Sequence, residues 1–200
     1  MKPIKTLLIV SLLFFLASCS KQAPRREIAM SNDTAIASPA TPGSIYAMPM
    51  TFDNQHGQPV EWQSLRGKVR VMAMVFTHCP DACPRTTEEI KNLQKLLPER
   101  SPVAYTLISF DSKRDTGATL AAFAALHNLD SNWQLLHGSA ENVRTVANLL
   151  NVKYKEWPTG DFTHDNAIFI IDREGHVAVR HDGLGSDAKE LSSKVISLCN

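Results

Sequence analysis

The sequence lacks a net charge large enough to indicate a polyanionic partner. Its 21 basic and 20 acidic residues give a formal charge of +1 at pH 7. Removal of residues 1–18, which include Lys2 and Lys5, would bring this charge to −1. A near-neutral surface provides no electrostatic attraction toward nucleic acid or a large acidic protein. The composition therefore argues against a nucleic-acid partner.

The sequence also lacks an apolar run long enough to cross a membrane. A short basic segment precedes an apolar run over residues 7–17, which is too short to span the roughly 30 Å hydrocarbon core as a helix. The run ends in Ala17-Ser18-Cys19, and small residues before a cysteine are typical of a lipoprotein signal. Residues 1–18 are thus predicted to be a lipoprotein signal peptide, with lipid on Cys19. The alternative is an ordinary secretory signal followed by an incidental cysteine.

Large apolar side chains are scarce between residues 20 and 44. This stretch contains Pro24, Pro39 and Pro42 among several alanines and serines, so it cannot bury enough surface to fold. Residues 19–44 are predicted to comprise the lipidated cysteine and a flexible tether that spans roughly 25–30 Å. Residues 45–200 are long enough for one domain with its own core.

The chain has only four cysteines and lacks two familiar cysteine motifs. Redox-active thioredoxins place two residues between their cysteines, whereas three residues separate Cys79 from Cys83. The Pro-x-x-x-Thr-x-x-Cys pattern of a peroxidatic cysteine is absent, which excludes a peroxidase. Cys199 is predicted to be a partly buried residue at a helix end. The chemistry is therefore assigned to Cys79 and Cys83.

Hydrophobic periodicity predicts alternating strands and helices in the domain. Two short strands within residues 48–62 flank a turn at residues 54–57. The further elements are strand 69–76, helix 86–97, strand 103–110, helix 116–126, strand 133–136, helix 140–150, strand 167–171, strand 177–180 and helix 187–198. Alternation predicts a mostly parallel sheet covered on both faces, to which the late hairpin adds antiparallel strands. This order predicts an α/β, thioredoxin-like fold with a mixed central sheet, flanking helices and an N-terminal β-hairpin.

The cysteine pair lies at the carboxyl end of the first buried strand, where α/β proteins place ligand sites. A helix is predicted to begin near Cys83, and its N-terminal N–H groups favour a thiolate. Pro84 fits the first turn of that helix. The spacing between Cys79 and Cys83 allows either a disulfide or the convergence of both sulfurs on one metal ion. Two soft thiolates suit Cu(I), with Zn(II) as a competitor.

Copper that is also held as Cu(II) requires a harder nitrogen ligand. His164 is the strongest candidate among seven histidines, because its polar loop at residues 160–165 leads directly into strand 167–171. In a thioredoxin-like fold this loop packs against the dithiol. His78 adjoins Cys79 but is predicted to point away from it. The other five histidines are predicted to be solvated in turns or on polar faces: His56, His127, His137, His176 and His181.

From about Ile45 onward, the chain resembles the Sco/SenC family of thioredoxin-like copper proteins. The resemblance rests on Cys79-Pro80-Asp81-Ala82-Cys83-Pro84, on Ser109-Phe110-Asp111-Ser112-Lys113-Arg114-Asp115-Thr116 and on His164. It implies that Cys79, Cys83 and His164 bind one copper ion. It also implies that the protein delivers copper to the binuclear copper centre of cytochrome c oxidase, or keeps the cysteines of that centre reduced.

Two residues depart from the family pattern. Ser112 stands where the family usually has proline, and Asp165 follows His164 where serine or threonine is usual. A carboxylate beside the site either forms a hydrogen bond or repels, so Asp165 bears on the copper affinity. Asp111 and Asp115 either shape the site or cap their own loop.

Two functions of different classes remain. A copper metallochaperone, which is not an enzyme, would exchange copper with the oxidase subunit that carries the binuclear centre, or with other periplasmic copper carriers. A periplasmic thiol-disulfide oxidoreductase in redox homeostasis would use Cys79 and Cys83 as its redox pair. A purely structural disulfide is disfavoured, because so short a loop gives little entropic stabilisation. Either function is expected in the cell envelope, lipid-anchored, with the domain in the periplasm or extracytoplasmic space.

We expect Cys19→Ser to release the protein from the membrane fraction, because the lipid on Cys19 is its predicted anchor. Labelling with palmitate or mass spectrometry detects the lipid on the wild-type chain. Cys199→Ser serves as the matched control, since it removes a thiol and leaves the anchor. Membrane association of Cys19→Ser equal to that of the wild type would contradict the lipidation.

Overall fold

The structure, a computed structural model, describes residues 42–200. The predicted signal peptide, the lipidation site Cys19 and nearly all of the tether lie outside these residues. The strands are β1 Thr51–Asn54, β2 Pro59–Glu61, β3 Val69–Val75, β4 Val103–Ser109, β5 Trp133–His137, β6 Tyr154–Glu156, β7 Phe162–His164, β8 Ala167–Ile171 and β9 Val177–Asp182. The helices are α1 Ala82–Lys95, α2 Gly117–Leu126, α3 Ala140–Leu149 and α4 Ala188–Cys199. Within the described part of the chain, no helix is both long and apolar enough to cross a membrane.

Seven strands form one sheet in the order β2-β1-β5-β4-β3-β8-β9. The inner strands β3, β4 and β5 run parallel. The outer strands come from the hairpins β1–β2 and β8–β9, and they pair antiparallel with their neighbours. The mixed sheet and the N-terminal hairpin confirm the predicted fold class. The prediction of a mostly parallel sheet is wrong, because four of the six strand pairings in this sheet are antiparallel, and each of the four includes a hairpin strand.

The strand β3 lies near the centre of the sheet, and all of its residues are buried. A valine- and methionine-rich strand of this kind suits a position covered on both faces. The helix α1 packs against β3 and β8, while α2 packs against β5 and β1. This arrangement leaves the carboxyl end of β3 as the place where the chain turns from the central strand into α1.

The helix α1 begins at Ala82, four residues before the predicted start at residue 86. Cys83 therefore lies inside the first helical turn, followed by Pro84. Proline is tolerated there because the first N–H groups of a helix have no intrahelical partner. Asp81 precedes the helix, yet its side chain forms no capping hydrogen bond. Another group must accept the free N–H donors of this turn.

A short hairpin of β6 and β7 replaces the polar loop that the sequence predicts at residues 160–165. Tyr154 pairs with His164 and Glu156 with Phe162, in a two-stranded sheet of its own. The turn closes through a 2.9 Å hydrogen bond from the Gly160 N–H to the carbonyl of Trp157. Strands of three residues are too short to show an alternating pattern, so sequence periodicity could not reveal them.

The turn between β8 and β9 is packed against the start of the domain. The Ile45 N–H donates to the carbonyl of Gly175 at 2.9 Å, and the Ser44 hydroxyl donates to the carbonyl of Glu174 at 2.6 Å. Gly175 has φ of +97°, and an added Cβ would lie 2.5 Å from the Tyr46 ring. The position therefore requires glycine both for its backbone conformation and for the close approach of Tyr46.

We expect Gly175→Ala to lower the free energy of unfolding by about 2–5 kcal/mol, the sum of left-handed backbone strain and overpacking. Gly183→Ala is the matched control, since Gly183 has φ of +83° and nothing within 4 Å of an added Cβ. The control should show only the backbone part. Urea unfolding measures both variants, and equal destabilisation would contradict the packing argument.

Candidate metal centre

The structure brings Cys79, Cys83 and His164 together. Cys79 lies in the turn after β3, Cys83 in the first turn of α1 and His164 at the end of β7. Their potential ligand atoms all lie within 4.8 Å of one another, and the Cys83 sulfur is 3.9 Å from Nε2 of His164. Both cysteines of the pair are free thiols. Three separate elements thus converge on one point at the carboxyl end of β3.

Cys79 carries the thiolate of the pair. Its sulfur accepts a hydrogen bond from the Cys83 thiol, and the Cys83 N–H donates to it at 3.3 Å. These contacts lower the pKa of Cys79 to about 5, the hydrogen bond from the Cys83 side chain being the largest cause and burial opposing it. The sulfur also takes the place of the missing Asp81 cap at the start of α1.

Cys83 holds the remaining proton. Its pKa is raised, first because its thiol donates to the Cys79 thiolate and second because the side chain is buried. The Phe76 N–H donates to its sulfur at 3.5 Å and partly offsets this increase. The pair therefore presents one half-buried thiolate and one buried thiol that loses its proton only when a cation or an oxidising step compensates.

His164 is oriented by its backbone neighbour and by aromatic rings. Its Nδ1 lies 3.0 Å from the carbonyl of Asp165, which favours the tautomer with the proton on Nδ1. The unprotonated Nε2 then faces Cys83. Phe110 packs at 4.9 Å between ring centroids and Phe76 at 5.9 Å. These contacts together orient Nε2 of His164 toward Cys83.

The carboxylate of Asp165 is engaged away from the sulfur atoms. It accepts a 2.9 Å hydrogen bond from the Lys153 N–H and lies 3.9 Å from the Arg180 guanidinium. These partners draw its charge toward the hairpin and β9. The departure from the family pattern at this position therefore places no unpaired negative charge at the cysteine pair.

Asp115 fixes the segment that leads into Cys79. Its buried carboxylate accepts hydrogen bonds from the Thr77 N–H at 3.0 Å, the Thr77 hydroxyl at 2.5 Å and the Ser109 hydroxyl at 2.5 Å. The imidazole of His78 faces the same carboxylate at 3.7 Å, and its side chain is half exposed. Asp115 thereby joins the ends of β3 and β4, and His78 takes no part in the cysteine cluster.

The same loop also holds the hairpin that carries His164. The Arg114 guanidinium donates to the carboxylate of Asp111 and to the carbonyl of Gly160, in the turn of that hairpin. Lys113 adds an ion pair with Glu156 at 2.8 Å. Asp111 also accepts the N–H groups of Lys113 and Arg114, so it caps its loop and shapes the site at once.

Sequence reasoning missed the contributions of Arg114 and Thr77. The motif at residues 109–116 was the available signal, but residue spacing cannot show that an arginine reaches a carbonyl 46 residues away. The prediction of solvated histidines is confirmed for His56, which is exposed, while four others are half-buried: His127, His137, His176 and His181. Nε2 of His181 is buried and has no hydrogen-bond partner among residues 42–200. The prediction that Cys199 is a partly buried residue at a helix end is confirmed, because Cys199 is half-buried at the end of α4.

The three donors fit a soft metal ion. Two sulfurs and one imidazole nitrogen suit Cu(I), and the nitrogen also supports Cu(II). Since Cys79 is already a thiolate at neutral pH, binding requires the loss of only the Cys83 proton. The second cluster, of His78, Asp111 and Asp115, is already occupied by hydrogen bonds and by Arg114.

We expect the reactivity of Cys79 toward iodoacetamide to rise as pH increases through about 5, where its thiolate forms. Cys83→Ala removes the strongest hydrogen bond, so this midpoint should move up toward the ordinary cysteine value of about 8.5. Both proteins carry Cys19→Ser and Cys199→Ser, and Cys83 is buried where it is present, so Cys79 is the reporting thiol. An unchanged midpoint in Cys83→Ala would show that the partner thiol does not stabilise the thiolate.

Known proteins share the fold of this domain. The SCO1/SenC family model matches residues 38–200. A SCO1/SenC family lipoprotein from Bacillus anthracis is 28% identical, with a TM-score of 0.71 over 76% of this chain and 94% of its own. Bradyrhizobium japonicum ScoI, solved with copper bound, is 28% identical, with a TM-score of 0.65 over 76% of this chain and 98% of its own.

A third solved structure is BsSco, described as a member of the Sco family of cytochrome c oxidase assembly proteins with a disulfide switch. It is 28% identical, with a TM-score of 0.68 over 76% of this chain and 92% of its own. Copper is thus a metal that solved relatives hold. Because the family model spans the described domain together with its dithiol and His164, the chain belongs to the SCO1/SenC family.

Proposed function

We propose that this protein is a copper metallochaperone that binds one copper ion through Cys79, Cys83 and His164. It delivers the ion to the binuclear copper centre of cytochrome c oxidase, or reduces the cysteines of that centre. The observation that carries the proposal is the convergence of two sulfurs and one imidazole nitrogen within 4.8 Å. The copper-bound relative and the relative described as an oxidase assembly protein support the choice of metal and recipient.

The two thiols have different roles in this proposal. Cys79 is half-buried and already anionic, so it is the sulfur that first meets copper or an incoming ligand. Cys83 is buried and gives up its proton when the metal replaces that proton as the partner of the Cys79 sulfur. His164 completes the set from the β6–β7 hairpin. Transfer then proceeds by exchange of ligands, with the recipient's donors replacing these three.

A thiol-disulfide oxidoreductase is the second candidate, favoured by the asymmetry of the pair. The Cys79 thiolate would attack a substrate disulfide and release one substrate thiolate. Cys83, after losing its proton, would then attack the mixed disulfide, forming the Cys79–Cys83 disulfide and releasing the second thiol. The oxidised pair cannot bind copper, so the two activities exclude each other at any moment. The disulfide switch described for BsSco is consistent with this exchange.

The anchor and the tether complete the proposal. Residues 1–18 act as the lipoprotein signal, Cys19 carries the lipid and the segment to residue 44 separates the domain from the membrane. The domain then works in the cell envelope, on the extracytoplasmic side, where copper centres are assembled. The lipoprotein relative from Bacillus anthracis supports this location.

We expect His164→Ala to weaken the retention of Cu(II) by more than about 100-fold, because loss of a direct ligand exceeds the 10–100-fold effect of an outer contact. Anaerobic titration of the reduced protein, followed by the sulfur-to-copper charge-transfer absorption, measures the change. His56→Ala removes an exposed histidine and is the matched control. Retention of the wild-type spectrum and affinity by His164→Ala would show that the third ligand is wrong.

The same variant distinguishes the two functions. Disulfide exchange needs a thiolate and no metal, so His164→Ala should keep most of that exchange activity while losing copper. In cells, the copper carrier predicts lower cytochrome oxidase activity with partial rescue by added copper. Full oxidase assembly in His164→Ala at limiting copper, with none in Cys79→Ser, would favour the oxidoreductase.

A further inference from the structure

The turn of the β6–β7 hairpin is joined to the rest of the domain through one arginine. Arg114, in the loop between β4 and α2, donates from its guanidinium to the carbonyl of Gly160. Within residues 42–200, no other hydrogen bond connects the turn at residues 157–161 with the domain outside the hairpin. An added Cβ at Gly160 would lie 3.0 Å from the guanidinium, so the glycine gives the arginine its access to the turn.

A buried carboxylate fixes the guanidinium from the other side. Arg114 donates to Asp111, whose side chain is only 3% exposed. Asp111 also accepts the N–H groups of Lys113 at 3.2 Å and Arg114 at 3.0 Å, and its own N–H donates to the Ser109 hydroxyl at 2.9 Å. A planar guanidinium held by a charge-assisted bond keeps one orientation. Arg114 therefore ties the hairpin turn to a fixed point of the domain.

This attachment bears on the imidazole and not on the sulfur atoms. Cys79 follows β3 and Cys83 lies in the first turn of α1, so neither sulfur belongs to the hairpin. His164 pairs with Tyr154 in a ladder of three residue pairs. A movement of the hairpin therefore displaces Nε2 of His164 and leaves both sulfurs in place.

The two oxidation states of copper depend differently on that nitrogen. Cu(I) is a soft ion that two thiolates suit, whereas Cu(II) requires a harder nitrogen donor. We propose that Arg114 is a positioning residue for His164 and that it decides whether the centre retains Cu(II) in addition to Cu(I). This inference rests on the proposed copper function. Without the guanidinium the hairpin opens more often, and the fraction of molecules with Nε2 at the sulfurs falls.

The experiment compares the affinity of the reduced full chain for each ion under anaerobic conditions. Competition with a chromophoric chelator measures Cu(I), and the sulfur-to-copper charge-transfer absorption measures Cu(II). Arg114→Ala should weaken Cu(II) binding by about 10–100-fold, the effect of an outer contact that orients a ligand. Its Cu(I) affinity should stay within about threefold of wild type, because both thiolates remain. Arg144→Ala, which removes an exposed arginine on α3, is the matched control.

Two further measurements show whether Arg114 acts through His164. In the double variant Arg114→Ala/His164→Ala, Cu(II) should bind no more weakly than in His164→Ala alone, since the positioned group is already absent. In the copper-free protein, amide hydrogen exchange in residues 154–164 should be faster in Arg114→Ala than in wild type, while exchange in β3 is unchanged. A general loss of stability would instead speed exchange in both segments.

The outcomes separate this inference from the proposed function. A wild-type chain that binds neither ion contradicts both. Wild-type Cu(II) affinity in Arg114→Ala, together with loss of Cu(II) in His164→Ala, overturns the role of Arg114 and leaves the proposed function intact. Equal weakening of Cu(I) and Cu(II), or additive losses in the double variant, also overturns it. If Arg114→Ala does not fold, Arg114→Lys decides, because lysine keeps the charge beside Asp111 but lacks the forked donors that also reach Gly160. Cu(II) affinity equal to that of Arg144→Ala would then overturn the inference.

Discussion

The hydrogen bond from the Cys83 N–H to the Cys79 sulfur is the contact on which both the fold and the chemistry depend. The helix α1 has no side-chain cap from Asp81, so this sulfur satisfies one of its free N–H donors. The positive end of the helix in turn stabilises the negative sulfur. A spacing of three residues allows one sulfur to cap the helix while the other lies within it. The same contact therefore caps α1 and adds to the larger effect of the Cys83 thiol in lowering the pKa of Cys79.

The loop between β4 and α2 sets the distance between the thiols and the imidazole. Asp115 holds the cysteine side through Thr77, and Arg114 holds the hairpin side through Gly160. Neither residue touches a sulfur atom. The geometry of the centre consequently depends on a buried carboxylate and a guanidinium that lie behind it. The resemblance to Sco proteins at residues 109–116 thus reflects positioning as much as chemistry.

The parts that the sequence predicted are those in which a local pattern determines the structure. The buried run of β3, the helices and the β1–β2 and β8–β9 hairpins follow from periodicity. The functional assignment of Cys79 and Cys83 follows from their place after β3. Periodicity placed the start of α1 four residues late, because its cap is a cysteine sulfur instead of the usual serine, threonine or aspartate, whereas Pro84 indicated the true first turn. The β6–β7 hairpin is fixed by Arg114 across 46 residues, which no local pattern contains.

His164 stands on a sheet separate from the one that leads to the two sulfurs. A two-stranded sheet is marginal alone and opens with a lower free energy than the seven-stranded core. The imidazole can therefore leave the thiols through local opening of the hairpin, while the rest of the domain stays folded. A metal held by all three ligands would close that opening and join two cooperative units into one. If the centre holds a metal ion as proposed, release of that ion depends on the opening of this six-residue ladder and does not require unfolding of the domain.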